Sequence, residues 1–354
     1  MSRRGLVLFA LVSLVWGTPY LFIKVAVDDG VSPAFLSFFR VALAALVLLP
    51  FAWRSGSLRG LGERWRALTA FAVMEIVLPF PLIAFGEQHV SSSLAAILIA
   101  ALPLTIALLA IRIDQEERVH GVRLAGLFVG LGGVVVLLGV DVSGSADELL
   151  GALAILAATV GYAVGPMIIK RRLSDRDALG PMTVALAISA VLLAPAALVT
   201  APTEMPSGDA AASLVVLGLL CTAVAFLLWF SLIAEVGPSR ASVITYVNPV
   251  VAVALGVAIL GESVTASAVA GLLLILAGSW LSTGGGPTGG LLAVLARMRL
   301  RTVARKSGAP STFEQVTAPR PSGRTAPCFA ASSSPLPSPH RSRWALPPRH
   351  PPRR

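Results

Sequence analysis

The stretch "GLVLFALVSLVWGTPYLFIKVAVDD", Gly5 to Asp29, returns in altered form 146 residues later as "GALAILAATVGYAVGPMIIKRRLSD", Gly151 to Asp175. Gly5 falls on Gly151, Trp16 on Tyr162, Ile23 on Ile169, Lys24 on Lys170 and Asp29 on Asp175. The same offset pairs Phe80 with Phe226, Val90 with Val236, Ala95 with Ala241 and Pro103 with Pro249. After one extra residue in the first half, an offset of 145 pairs Glu117 with Glu262, Gly126 with Gly271 and Gly133 with Gly278. A register held over about 130 residues exceeds what Gly-, Ala- and Leu-rich helices give by chance, so the chain reads as a duplication.

The composition says what was duplicated. Of 354 residues, 56% are hydrophobic and 13% charged, with a mean hydropathy of +0.82. A soluble domain carries roughly 45–50% apolar and 25% charged residues, so the chain reads as a membrane protein. A spanning helix needs about 20 mostly apolar residues, and ten windows qualify: 5–27, 34–53, 66–86, 91–111, 121–140, 149–169, 178–200, 211–234, 240–260 and 265–283. The expected fold is an all-α polytopic membrane protein of ten transmembrane helices. Residues 1–140 form the first five-helix repeat and 141–283 the second. Five is odd, so the second copy enters the membrane from the opposite side, giving inverted repeats related by a pseudo-two-fold axis in the membrane plane.

Charge placement agrees with ten spans. The formal charge is +10, which taken globally would suggest nucleic acid. Residues 284–354, however, hold 12 Lys and Arg against the single acid Glu314, leaving residues 1–283 with 16 Lys and Arg against 17 acids. Arg3, Arg4, Arg54, Arg59, Arg64, Arg66, Arg112, Arg118, Arg123, Lys170, Arg171, Arg172, Arg176 and Arg240 fall on one side. Asp28, Asp29, Glu87, Asp141, Asp147, Glu148, Glu204 and Asp209 fall on the other, with Lys24 the only nearby cation besides Arg40 inside the second helix. By the positive-inside rule both termini lie in the cytoplasm, in a multi-pass inner-membrane protein, and no nucleic acid partner is expected. The apolar N-terminal run continues through "TPYLFIKVAV" to spanning length, so it reads as a span rather than a cleaved signal. Beyond Ser282 come "LLAVLARMRLR", suited to an anionic lipid surface, and a Pro/Ser/Arg-rich tail unable to bury a core.

Several residues stand out against the apolar background. Glu75, in "FAVMEIVLPFPLIAFGEQ", lies mid-span, where an ionised carboxylate is costly and by default marks a functional site. Such a group can load and release a proton or meet a cationic substrate atom; held by a partner such as Arg40, it would be structural. Pro79 and Pro81 are expected to kink the helix just past Glu75. Pro103 and Pro249 form a matched pair of hinge candidates. Arg40 lies two turns into the second span, and snorkelling, pairing with Glu75 and contact with an anionic substrate group all remain open. Trp16, Tyr20, Phe80, Trp229 and Tyr246 are aromatics within spans, suited either to ordinary packing or to lining a cavity. Asn248 breaks the repeat, facing Leu102 in the alignment, and either contacts substrate or satisfies carbonyls freed by Pro249. Glu117 and Glu262 read as gate or helix-end residues, and Lys24 and Lys170 as interface anchors.

No HExxH, GxSxG, Walker loop or pair of aspartate-rich motifs is present, so no catalytic residue or cofactor is assigned. Two cysteines, Cys221 and Cys328, and four scattered histidines give neither a disulfide framework nor metal spacing. The chain resembles the EamA family of the drug/metabolite transporter superfamily over about residues 5–283. The resemblance rests on "WGTPYLFIK" from Trp16, "SPAFLSFFR", "SSSLAAILIAALPL" with Pro103, "ASVITYVNPVVAVALGVAILGESV" with Pro249 and Glu262, and "GLLLILAGSWL", taken in order and in duplicate. It departs at "RIDQEERV", which stands where a segment like "AILGESV" is expected and leaves open which of Glu116 and Glu117 matches Glu262. The resemblance implies secondary transport, commonly export, of small metabolites or drugs through a central cavity between the halves. Its partners would be a small-molecule substrate and membrane lipid, and Glu75, as a mid-span acid, is the candidate site for a coupling proton. An intramembrane lipid-modifying enzyme or a lipid-binding or scrambling scaffold is the alternative.

Overall fold

A computed structural model describes residues 2–113, 121–141, 145–237, 241 and 243–282. Glu116, Glu117, Arg240 and the tail 284–354 lie outside them. Among the described residues the regular structure is helical throughout. Eight stretches are long and apolar enough to cross a membrane: Arg3–Asp28, Pro33–Arg54, Gly62–Glu87, Ser92–Leu109, Val122–Gly139, Ala146–Arg172, Leu179–Val199 and Gly208–Val236. Two shorter apolar helices follow, Ile244–Leu260 and Ala266–Ser282, of 17 residues each.

The helices start where the sequence supplies caps. Ser2, Ser32, Ser91, Ser145 and Ser207 each accept a hydrogen bond from the backbone N–H three residues on, at 3.0–3.2 Å. Each thereby satisfies one of the orphan donors of a first helical turn. Helix α13 (Ile244–Leu260) ends at Gly261, whose φ of +65° is the left-handed value that suits glycine.

Breaks inside the stretches follow from proline chemistry. The first stretch divides into α1 (Arg3–Gly17) and α2 (Pro19–Asp28). Pro19 cannot donate to the Val15 carbonyl one turn back, and the Thr18 hydroxyl donates to it instead at 2.9 Å. The third stretch runs as α4 (Trp65–Ala72), a π-helical turn over Val73–Val77 and α5 (Pro79–Glu87). The expected kink past Glu75 therefore begins earlier, and Glu75 sits inside the irregular turn. The missing Pro79 N–H would have served the Glu75 carbonyl, so the disruption reaches back four residues. In the fourth stretch α6 (Ser92–Ile99) and α7 (Leu102–Ile113) part just before Pro103, whereas Pro249 lies within the continuous α13. The matched prolines thus have different local outcomes.

Two further π-helical turns occur among the described residues, one over Leu137–Asp141 and one over Leu219–Val224, and the latter separates α11 (Gly208–Gly218) from α12 (Ala225–Val236). It starts at the same 146-residue offset from Val73 that aligns the two halves of the sequence. Ala225 and Leu227 stand where the first half has Pro79 and Pro81.

The remaining helices are α3 (Pro33–Arg54), α8 (Val122–Val136), α9 (Ala146–Arg172), α10 (Leu179–Val199) and α14 (Ala266–Ser282). α8 packs on α14, α3 on α10, α5 on α9, and α1 on α12 and α13. Small residues allow the α8–α14 contact: a Cβ on Gly278 would fall on the Gly130 backbone, one on Gly126 against Leu281, and one on Gly133 against Leu274. Residue numbers rise along one helix as they fall along the other, so the two are antiparallel. Close backbone approach of this kind drives association where no hydrophobic effect operates between helices.

Candidate functional site

Of the three π-helical turns, those at Val73–Val77 and Leu219–Val224 each press a polar residue toward a helix of the opposite half. In the first, Glu75 faces α9 at a pair of glycines. A Cβ at Gly165 would collide with Glu75 Oε2, and one at Gly161 with the Met74 carbonyl. Glu75 is partly buried, and its Oε2 is sealed from solvent without a hydrogen-bond partner. In the second turn Cys221, the residue 146 beyond Glu75, lies 3.3 Å from the Thr18 hydroxyl, at the break between α1 and α2. Glu75 thus meets Gly165 in α9, and Cys221 meets Thr18, the residue before Pro19, which Gly165 aligns with. π-turns of this type recur at functional sites because they widen the helix and redirect its side chains.

Arg40, in α3, reaches the turn at Leu219–Val224. Its side chain is buried, 8% exposed, and Nε donates to Thr222 Oγ1 at 2.7 Å. Thr222 in turn donates to the Leu217 carbonyl at 2.7 Å. The guanidinium carbon lies 4.3 Å from the centroid of the Phe80 ring, a cation–π contact. No ion pair joins Arg40 to Glu75 among the described residues. Arg40 therefore neither snorkels nor pairs with that acid; it links α3 to the π-turn before α12 and to α5. Tyr20 and Tyr162 pack nearby, against the cluster formed by Ile23, Ala26, Ile83, Ala158 and Cys221.

The aromatics form a neighbouring wall. Trp16 meets Phe226 edge-on at 5.8 Å and Trp229 at 5.1 Å between ring centroids, and Phe226 stacks on Phe230 at 6.0 Å. Asn248, with its amide assigned from its hydrogen-bond surroundings, donates to the Ser13 carbonyl at 3.2 Å and the Ile244 carbonyl at 3.0 Å. It bridges α1 and α13 and binds a carbonyl one turn back on its own helix. Tyr246 is half-buried in α13.

At the helix ends, Glu262 is a tertiary cap. Its carboxylate accepts from the backbone N–H groups of Ser92 and Ser93, at 2.7 and 3.0 Å, and from Ser93 Oγ at 2.5 Å. Burial pushes this carboxyl up, but the hydrogen bonds from Ser93 and Ser92 outweigh it and hold the group below its ordinary 4.5. Lys24 donates to Asp28 Oδ1 at 2.8 Å and to the Glu87 carbonyl at 3.0 Å, while Lys170 is exposed in the last turn of α9. Elsewhere Arg64 grips Asp175 with both terminal nitrogens, at 2.7 and 2.9 Å, and Ser57 donates to Asp177, joining the segment after α3 to that after α9.

Sequence reasoning missed Thr222, Cys221, Tyr162 as a neighbour of Arg40, and Glu87. Cys221 and Tyr162 were within reach, since the 146-residue offset places them opposite Glu75 and Trp16. Glu87 reads in the sequence as a loop acid but is fully buried, 0% exposed.

The sequence model of the EamA-like transporter family matches this chain twice, over residues 3–139 and 149–284. The chain is 25% identical over 280 residues to "Uncharacterized transporter YoaV" of Bacillus subtilis, covering 77% of this chain and 94% of that protein. It is 28% identical over 296 residues to the "Probable amino-acid metabolite efflux pump" of Escherichia coli, covering 80% and 96%. A solved crystal structure, 21% identical, superposes with a TM-score of 0.57 over 79% of this chain and 97% of its own. With the family's model spanning nearly all of the described helices in two copies, the chain belongs to the EamA-like transporter family and is a multi-pass membrane protein.

Proposed function

We propose that this transporter moves small amino-acid-like metabolites or drugs across the inner membrane by alternating access, most simply as an exporter. The observation that carries the reading is the pair of π-turns at matched register. Each meets the opposite half at α1–α2 or α9, and between them they bring Glu75, Arg40, Thr222 and Cys221 to helix junctions. Interrupted helices whose polar groups gather where two repeats meet are the usual setting of a transport site. The antiparallel packing of α8 on α14, the fifth and tenth helices, supports the inverted-repeat arrangement, as does the double match of the family. The Lys and Arg asymmetry supports cytoplasmic termini.

In this reading Arg40 receives an anionic substrate group through its two terminal nitrogens, which make no hydrogen bond among the described residues. Trp16, Phe80, Phe226 and Trp229 bind the apolar body, and Glu75 exchanges a proton. Rocking of the two repeats then exposes the site to each side in turn. The sequence supplies no ATP-binding element, so a substrate or ion gradient provides the energy.

The test is reconstitution in liposomes with a panel of amino acids and cationic dyes. Vectorial solute flux that responds to a pH gradient is expected. Glu75→Gln should insert normally and lose the pH-driven component. Lipid flip or product formation without solute flux would refute the transport reading, and undiminished pH-driven flux in Glu75→Gln would remove the proton role from Glu75.

A further inference from the structure

Glu87 is the most completely enclosed acid among the described residues, and it stands apart from the site around Arg40 and Glu75. It closes α5 with 0% exposure, and both carboxyl oxygens are sealed from solvent without a hydrogen-bond partner. An ionised carboxylate in that position is an unpaired buried charge, as unfavourable as one left by breaking a buried ion pair. A neutral carboxylic acid avoids most of that cost.

The surrounding charges are committed elsewhere. α5 packs against α2, α3, α6, α9 and the first π-turn. From α2 come Tyr20, Lys24 and Asp28; from α3 comes Arg40; and from the segment after α13 comes Glu262. Lys24 is engaged by Asp28 and by the backbone carbonyl of Glu87 itself, not by its carboxyl. Glu262 is tied to the start of α6, and Arg40 to Thr222 and Phe80. α9 offers Gly151 and Ile155 beside Gly86 and, in its first turn, Glu148 beside His89 and Ser93; the first π-turn carries Glu75, α6 offers the Ser92 hydroxyl, itself unpartnered, and His89 stacks edge-on with Phe85 at 4.8 Å. No neighbour neutralises the acid.

We propose that Glu87 is a proton-binding site, distinct from Glu75, whose protonation is tied to closure of this end of the fold. Packed as it is, the carboxyl holds its proton. When the ends of α2, α5 and α6 separate, water reaches it, the proton passes to water, and the carboxylate is left solvated. Reclosing requires a proton to be taken up again. The lone acid at the end of α5 thereby makes pH on that side of the membrane a control on opening.

Two measurements on the full-length protein in liposomes test this. The first is an infrared titration of protonated-carboxyl absorption, from mildly acid to mildly alkaline pH. One such band should disappear in Glu87→Gln and persist in Glu75→Gln, with Glu87→Asp restoring a band at a shifted position. The second is solute flux, and only this one rests on the transport reading above. Flux in the wild type should change with pH on the side that Glu87 faces, by up to about tenfold per pH unit, the slope of one titrating group. Glu87→Gln should flatten that dependence while retaining flux. A carboxyl band unaltered by Glu87→Gln would overturn the proposal, as would an unchanged pH dependence on that side. Failure of the infrared result leaves the transport reading standing, whereas an absence of flux in every variant counts against the latter alone.

Discussion

Replacing Glu262 with alanine removes one carboxylate and strands three donors: the N–H groups of Ser92 and Ser93 and the Ser93 hydroxyl. Hydrogen bonds to a charged group are worth about 1.5–3 kcal/mol each when buried. Here the carboxylate is half-exposed and water can re-enter, so the sum must be discounted heavily. A further contribution of about 0.3–1 kcal/mol comes from an anion at a helix N-terminus, that of α6. Together these give about 2–3 kcal/mol for Glu262→Ala and about 1 kcal/mol for Glu262→Gln, which keeps an acceptor but loses the charge. At roughly 2–4 °C per kcal/mol for a domain of this size, thermal unfolding in detergent should fall by about 4–12 °C for alanine. The pH dependence has a definite sign. The native carboxyl lies below its ordinary 4.5, so its stabilisation is present above that value and is lost as pH falls through the native one. The gap between wild type and Glu262→Gln should therefore be full at neutral pH and close in strong acid. Equal unfolding temperatures at pH 7, or a gap that survives strong acid, would refute the assignment of Glu262 as a charged cap.

Two further substitutions test the packing around the site, beside those of Glu75 and Glu87 described above. Thr222→Val keeps the shape of the side chain but leaves Arg40 Nε without its partner, at a cost of about 1–3 kcal/mol. It should lower thermal stability and substrate affinity together, read by unfolding in detergent and by concentration-dependent flux; an unchanged affinity would detach Arg40 from substrate. Gly278→Leu drives a side chain into the Gly130 backbone, and overpacking typically costs about 1–3 kcal/mol or more. Poor membrane yield or early unfolding is expected, and wild-type stability would contradict the α8–α14 contact.

Much of this architecture is legible in the sequence because it depends on long-range periodicity. The duplication, the ten apolar windows and the small-residue stripes of α8 and α14 all recur at fixed offsets, and the structure places helices at each window. Glu75 is legible for a related reason, since one charge in an apolar run has no solvent to justify it. The π-turns are not legible. They depend on how carbonyls are re-partnered after Pro79 in one half and around Thr222 in the other, and no single residue type encodes that. Glu87 escapes because it stands where an apolar window ends, and a charge at a helix end normally meets water. Its burial comes from α2, α3, α6 and α9 closing over it, a tertiary effect invisible to a scan along the chain. Glu262 is half legible: its place after Gly261 marks it as a helix-end residue, but its partners lie about 170 residues away.

The two halves share a shape more closely than they share chemistry, and that difference bears on function. The π-turn recurs at Val73 and Leu219 although only the first is followed by prolines, so the irregular turn is maintained by different means in each copy. In the first it follows from the missing Pro79 donor; in the second the Thr222 hydroxyl binds the Leu217 carbonyl. At the corresponding positions within these turns stand Glu75 and Cys221, a long acidic side chain in one half and a short thiol in the other. Opposite them, Gly165 accepts a bulky carboxylate where Thr18 offers a hydroxyl to the thiol. Arg40 likewise aligns with Leu186, a buried apolar residue. A symmetric frame that is polar in complementary ways on its two faces can rock between two equivalent shapes while presenting one asymmetric site. In the proposed mechanism the cation at Arg40 and the acid at Glu75 would meet different parts of one solute, a division of labour that two identical halves would not provide.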